Sequence, residues 1–236
     1  MRTVLITGGS RGIGSAMVRR FSKNGYAVAF TYNKSRDAAE ALSKETGALA
    51  IKADNASECE ILAAVSEVRE KLGDIDVLIN NAAVSSFSVF TDISYEDWNN
   101  IFAVNLGGAF LYSKAVLSDM IKNKSGRIIN ISSVWGNVGA SMEVAYSASK
   151  GAVNSFTKAL AKELAPSNVQ VNAISCGVID TEMNEHLSEE ERLSLIDEIP
   201  ACRMGTPKEV GELALLLANA PAYLTGQIIT MDGGLL

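Results

Sequence analysis

Thr7-Gly8-Gly9-Ser10-Arg11-Gly12-Ile13-Gly14 follows the apolar run Val4 to Ile6 and leads straight into a segment of helical period. A strand, a glycine-rich turn and a helix are therefore packed into the first residues of the chain. Glycines allow a tight turn and let a pyrophosphate approach the backbone, while a helix start offers unpaired N–H groups and a partial positive charge. The spacing Gly8-x3-Gly12-x-Gly14 departs from the G-x-G-x-x-G of the usual dinucleotide fingerprint. The loop predicts an anion-binding turn, and what lies beyond it must say which anion.

Outward from this turn, short β-branched runs alternate with longer helical segments. Candidate strands are Val4 to Thr7, Ala27 to Tyr32, Ala48 to Ile51, Val77 to Ile79, Arg127 to Ile131, Val169 to Ile174 and Gln227 to Met231. Helical segments fall at about 13 to 24, 35 to 46, 57 to 72, 95 to 122, 145 to 165 and 207 to 218. This rhythm predicts an α/β fold, a Rossmann-type doubly wound parallel sheet of about seven strands in a single domain over residues 1–236. One insertion breaks it, from Gly177 to Pro200, where Ser188 can cap a helix with the acidic first turn Glu189-Glu190-Glu191. A segment there, past the carboxyl end of a strand, is expected to act as a lid.

The 236 residues carry 21 Lys plus Arg against 27 Asp plus Glu, a net charge of −6, which argues against a general grip on nucleic acid. His186 is the only histidine, so a zinc site or a Ser-His-Asp triad must use it or do without. Cys59, Cys176 and Cys202 are widely spaced and odd in number, suggesting reduced thiols rather than a disulfide framework or a metal knuckle. Neither a signal peptide nor a membrane span is recognisable, so a soluble cytoplasmic protein without a bound metal is expected.

Gly8-Gly9-Ser10-Arg11-Gly12 also fits the G-x-S-x-G nucleophile elbow, which would make Ser10 a nucleophile with His186 as its base. Against that serine hydrolase reading, the elbow would stand on the first strand, with no earlier strand and loop to supply a second oxyanion donor. For a nucleotide, the second strand ends Thr31-Tyr32-Asn33-Lys34-Ser35, without the acid that meets a ribose 2′-hydroxyl in NAD enzymes. Arg11 and Lys34 are instead two cations for a 2′-phosphate, which favours NADP(H).

Tyr146 and Lys150 stand one helical turn apart on one face. A phenol needs a nearby cation to become a useful acid or base near neutral pH; lowering its pKa by 2 to 3 units takes about 3 to 4 kcal/mol. Ser132-Ser133 ends the fifth strand at the carboxyl edge of the sheet, Asn105 lies in the preceding long helix, and Asn80-Asn81-Ala82-Ala83 follows the fourth strand. With the glycine loop, this ordered set resembles the short-chain dehydrogenase/reductase family over essentially the whole chain, through Asp232-Gly233-Gly234.

The resemblance implies that Tyr146 protonates a carbonyl oxygen as hydride arrives, that Ser133 orients the carbonyl, and that Lys150 binds the nicotinamide ribose and lowers the phenol pKa. Lys150 would connect through water to Asn105 as a proton relay. Gly8, Ser10, Arg11, Gly12, Ile13, Gly14, Asn33, Lys34, Asp54, Asn81, Ile179 and Thr181 are the implied cofactor contacts. Two departures stand out: Cys176-Gly177 replaces the family's usual Pro-Gly, and Ala83 replaces a glycine.

The overall pattern, including Ile199-Pro200 and Arg203-Met204-Gly205-Thr206-Pro207 before the last helix, is similar to the reductases of fatty-acid synthesis that act on 3-oxoacyl groups on acyl carrier protein. The loop Gly139-Ala140-Ser141-Met142-Glu143-Val144-Ala145 is closer to the related reductases of a 5-aminopentanone group on elongation factor P. There, Glu143 would meet a substrate amine, or else simply face the dipole in the first turn of its helix. A cofactor-binding sensor without turnover is a further reading that the intact Asn105, Ser133, Tyr146, Lys150 set opposes. Apolar residues on several faces of segments 95–122 and 145–165, with the resemblance, point to a homotetramer.

Overall fold

Val4, Ile6, Val28, Phe30, Val77 and Ile79 point their side chains into one apolar layer, while Leu5, Ala29 and Leu78 between them point into another. Alternation with both faces buried is what a sheet covered by helices on either side requires. The structure is a computed structural model and describes residues 1–184 and 188–236. Its strands are β1 (Thr3–Ile6), β2 (Ala27–Tyr32), β3 (Leu49–Lys52), β4 (Val77–Asn80), β5 (Gly126–Ser133), β6 (Val169–Cys176) and β7 (Ile228–Met231). They form one sheet in the order β3-β2-β1-β4-β5-β6-β7, every neighbouring pair parallel.

The helices are α1 (Gly12–Lys23), α2 (Arg36–Thr46), α3 (Glu58–Leu72), α4 (Tyr95–Phe102), α5 (Gly108–Asn123), α6 (Trp135–Val138), α7 (Val144–Leu164), α8 (Glu189–Glu198) and α9 (Pro207–Ala218). One layer takes Met17 and Phe21 of α1, Leu42 of α2 and Val210 and Leu217 of α9. The opposite layer takes Ile61 and Val65 of α3, Tyr112 and Val116 of α5 and Leu164 of α7. Sheet order reverses between β1 and β4, and a crevice opens at their carboxyl ends, where open α/β sheets bind ligands.

Two expectations about the long helix change. The segment expected as one helix from 95 to 122 is broken by a π turn, Ala103–Gly107, in which the Gly108 N–H reaches back five residues to Ala103 O. Asn105 therefore sits in that turn rather than in regular helix. By length and composition, Tyr95–Asn123 is also apolar enough to cross a membrane. Here its Ala109, Tyr112, Val116 and Met120 are buried in the fold.

The insertion holds a 3-10 turn, Glu182–Asn184, and then α8, whose start is closed by Ser188 and Glu191 bonding reciprocally. His186, the proposed base for Ser10, lies outside the described residues.

Candidate active site

The glycine loop is forced by close approach. Gly8 has φ +63°, and a Cβ there would lie 2.8 Å from Ala82 Cα; one on Gly14 would lie 2.1 Å from Gly8 O. Thr7 and Asn81 tie the loop to the end of β4: the Thr7 hydroxyl accepts the N–H groups of Asn81 and Ala82, each at 3.0 Å. Asn81 donates its amide hydrogens to Thr7 O at 2.9 Å and Gly8 O at 3.0 Å. Both donors are thus spent on the loop, so Asn81 holds the loop in shape while it lines the crevice.

Arg11, Asn33, Lys34 and Asp54 line one end of a single cavity of about 1290 Å³. Arg11 is paired, its guanidinium 3.2 Å from Glu182 across the mouth of the crevice. Asp54 Oδ1 accepts the Ala56 N–H at 2.9 Å. Thr181 lies over Gly12, and Ile179 bridges in parallel to Gly205. Behind Gly205, Arg203 grips Glu209 at 2.6 Å, and that pairing, with Thr206, holds the Glu209 carboxyl down at about 2.

At the other end Ser133, Tyr146 and Lys150 converge beside Cys176, all at least nine-tenths buried. Lys150 Nζ donates to Ile131 O at 2.8 Å and lies 5.6 Å from the Tyr146 ring centre. Burial pushes the lysine down to about 8. The phenol moves opposite to the expected direction: burial raises its pKa above the ordinary tyrosine value, Glu143 and Cys176 add to the rise, and a hydrogen bond with Ser133 only partly opposes it. Desolvation is the largest cause, and the Lys150 ammonium makes its hydrogen bond to β5 rather than to the phenol. Burial also raises the Cys176 thiol to about 12, keeping it neutral and unreactive.

Asn105 is buried behind this group and does not line the cavity. Its Oδ1 accepts Val84 N–H at 2.8 Å, and its Nδ2 donates to Val84 O at 2.9 Å and Ser149 Oγ at 3.0 Å. The carboxamide therefore clamps two segments together, with both of its amide hydrogens in use. Glu143 stands at the N-cap position of α7 rather than in its first turn, and makes no side-chain capping bond there.

A short chain dehydrogenase model matches residues 2–192. The 3-oxoacyl-[acyl-carrier-protein] reductase of Synechocystis sp. is 41% identical over 99% of this chain and 96% of its own length. The chain belongs to the short-chain dehydrogenase family. Two further relatives in it are the 3-oxoacyl-[acyl-carrier-protein] reductase of Aquifex aeolicus, 39% identical over 98% of this chain and 96% of its own, and the acetoacetyl-CoA reductase of Shinella zoogloeoides, 39% identical over 99% and 98%. As a short-chain dehydrogenase the protein is an oxidoreductase, and it has the seven-stranded parallel sheet expected of one.

Within this short-chain dehydrogenase, fifteen residues expected at the site line the one cavity together with Glu143: Gly8, Ser10, Arg11, Gly12, Ile13, Gly14, Asn33, Lys34, Asp54, Asn81, Ser133, Tyr146, Lys150, Ile179 and Thr181. Sequence reasoning missed Asn55, a buried lining residue whose Nδ2 donates to Val104 O at 2.8 Å. It also missed the acidic side, where Glu182, Glu191 and Glu198 join Glu143. Position next to Asp54 was the available signal for Asn55; for the glutamates there was none beyond the acidic start of α8.

Proposed function

We propose that the protein is an NADPH-dependent ketoreductase acting on a 3-oxoacyl thioester. The observation that carries this reading is one cavity with the glycine loop and two cations at one end and Tyr146, Ser133 and Lys150 at the other. The cradle fits a dinucleotide: Gly8 and Gly14 leave room that a Cβ would fill, the α1 N-terminus faces it, and Arg11 and Lys34 suit a 2′-phosphate. Bound NADPH supplies the hydride.

The chain's own residues do the rest. Ser133 donates to the ketone oxygen and holds it against the phenol. Tyr146, kept protonated by burial, delivers its proton to that oxygen as negative charge develops there. Lys150, fixed by the Ile131 carbonyl, stabilises the phenolate left behind and binds the ribose. Asn105 keeps α7 in register with the loop after β4. The α8 segment, which presents Glu191, Ser194, Leu195 and Glu198 to the cavity, serves as a lid.

A second reading is favoured by one observation: the carboxylate of Glu143 faces the phenol closely enough to raise its pKa. An amine-bearing ketone, such as the 5-aminopentanone group on elongation factor P, would find its counter-charge there. NADPH oxidation with an acetoacetyl thioester and with an amino ketone, at equal concentrations, separates the two. Faster turnover of the thioester supports the first reading, and preference for the amino ketone replaces it. Three free thiols suit a cytoplasmic enzyme, and half-exposed Phe110 suits a homotetramer built through α5 and α7, which sedimentation tests.

A further inference from the structure

Gly108 has φ −59° and ψ −47°, ordinary helical values that any residue adopts, so no backbone need explains a glycine where alanine would favour the helix. Space explains it: a Cβ on Gly108 would overlap Asn55 Nδ2 and would lie 2.7 Å from Asn55 Cγ and 2.8 Å from the Asn55 backbone O. The Asn55 side chain rests on the bare helix surface and donates to Val104 O at 2.8 Å, inside the π turn. A π turn spoils the regular i to i−4 pairing of a helix, and an outside donor to one of its carbonyls helps to hold that irregular register.

The turn sets Asn105. One residue after the carbonyl that Asn55 grips, Asn105 clamps Val84 and bonds Ser149, and Ser149 Oγ donates in turn to Tyr146 O at 2.7 Å. A continuous path of short polar contacts thus runs from beside Asp54, at the nucleotide end of the cavity, to the backbone of Tyr146. Were the turn to revert to regular helix, Asn105 would rotate away from both partners.

We infer that Asn55 is a positioning residue for carbonyl reduction, holding the π turn in the register that places Asn105 and, through Ser149, the catalytic helix α7. Gly108 is its seat. The inference rests on the ketoreductase reading for its kinetic consequence, though not for its structural one.

Asn55→Asp keeps the shape but offers a carboxylate to a carbonyl, Asn55→Val removes the amide, and Gly108→Ala evicts it from the other side. Each is expected to lower kcat about tenfold, the worth of one buried hydrogen bond, with KM for NADPH within about twofold. Gly108→Ala meets the Asn55 backbone O as well as its side chain, so it should be at least as slow as Asn55→Val, and the two Asn55 variants isolate the amide contact. Amide hydrogen exchange should quicken across 103–109 and stay unchanged in α9. Wild-type kcat in both Asn55 variants overturns the inference. If wild type reduces no ketone, the ketoreductase reading falls, and exchange across 103–109 alone decides: unchanged exchange in Asn55→Val overturns the inference, and quickened exchange upholds the hold on the turn.

Discussion

The ammonium of Lys150 lies 5.6 Å from the centre of the Tyr146 ring, yet its hydrogen bond is made to Ile131 O at 2.8 Å, on β5. The cation is thus anchored to the sheet and not to the phenol. Burial raises one pKa of the pair and lowers the other, bringing the lysine near the working range while the tyrosine stays protonated.

Removing the Tyr146 hydroxyl while keeping its ring should abolish proton delivery without opening the cavity. Tyr146→Phe is expected to lose at least about a hundredfold in kcat and to bind NADPH as wild type does. Stopped-flow turnover and cofactor fluorescence titration measure the two quantities. Near-normal turnover would remove Tyr146 from the chemistry.

The pH profile should report Lys150. Its charged form is the one that stabilises a phenolate, and with a pKa of about 8 that form is lost as pH rises through 8. The value of kcat/KM for ketone reduction should be level below that pH and fall above it. Lys150→Arg, charged throughout, should move the fall upward; a limb still near 8 in that variant would belong to another group.

The same burial carries a stability cost whose sign can be worked out. The unfolded chain holds the lysine proton to about 10.5 and the folded chain only to about 8. Between those values the unfolded state binds more protons, so stability rises with pH there, and below about 8 the full cost is present. Lys150→Met should therefore unfold at a higher temperature than wild type at pH 7, and the gap should close as pH approaches 10.5. Calorimetry across that range checks it.

Cofactor choice should answer to charge at the crevice mouth. Lys34→Asp, by removing a charge-assisted contact to the 2′-phosphate, should weaken NADPH by about ten to a hundredfold and improve NADH relative to it. Glu182 competes for Arg11 at 3.2 Å, so Glu182→Gln should tighten NADPH by up to about fivefold and leave NADH unmoved. Dissociation constants for both cofactors decide; a wild-type preference for NADH would misplace the phosphate pocket.

The strands were legible because runs such as Val77 to Ile79 and Val169 to Ile174 are short, β-branched and bounded, with observed ends differing by only a few residues. The glycine loop and the Tyr146, Lys150 spacing carried the site, since both are local patterns. The π turn was not legible: the apolar period runs on through 95–122, and the outside donor that grips the turn at Val104 is Asn55, 49 residues away in sequence. The pairing of Arg11 with Glu182 is likewise set by tertiary approach. The direction of the Tyr146 shift depended on how dry its surroundings are, which spacing to Lys150 does not express.

The strand order also bears on how the chain is made. β1 gains a neighbour on one side once β2 has emerged, but its other side is closed only by β4, beginning at Val77. A nascent chain of some seventy residues would carry half a sheet, β3-β2-β1, with the open edge at what becomes its centre. Every pairing here is a parallel crossover, slow to close. Synthesis from the N-terminus thus presents, for the time it takes to add β4, an unpaired apolar edge that a chaperone or another nascent chain can reach.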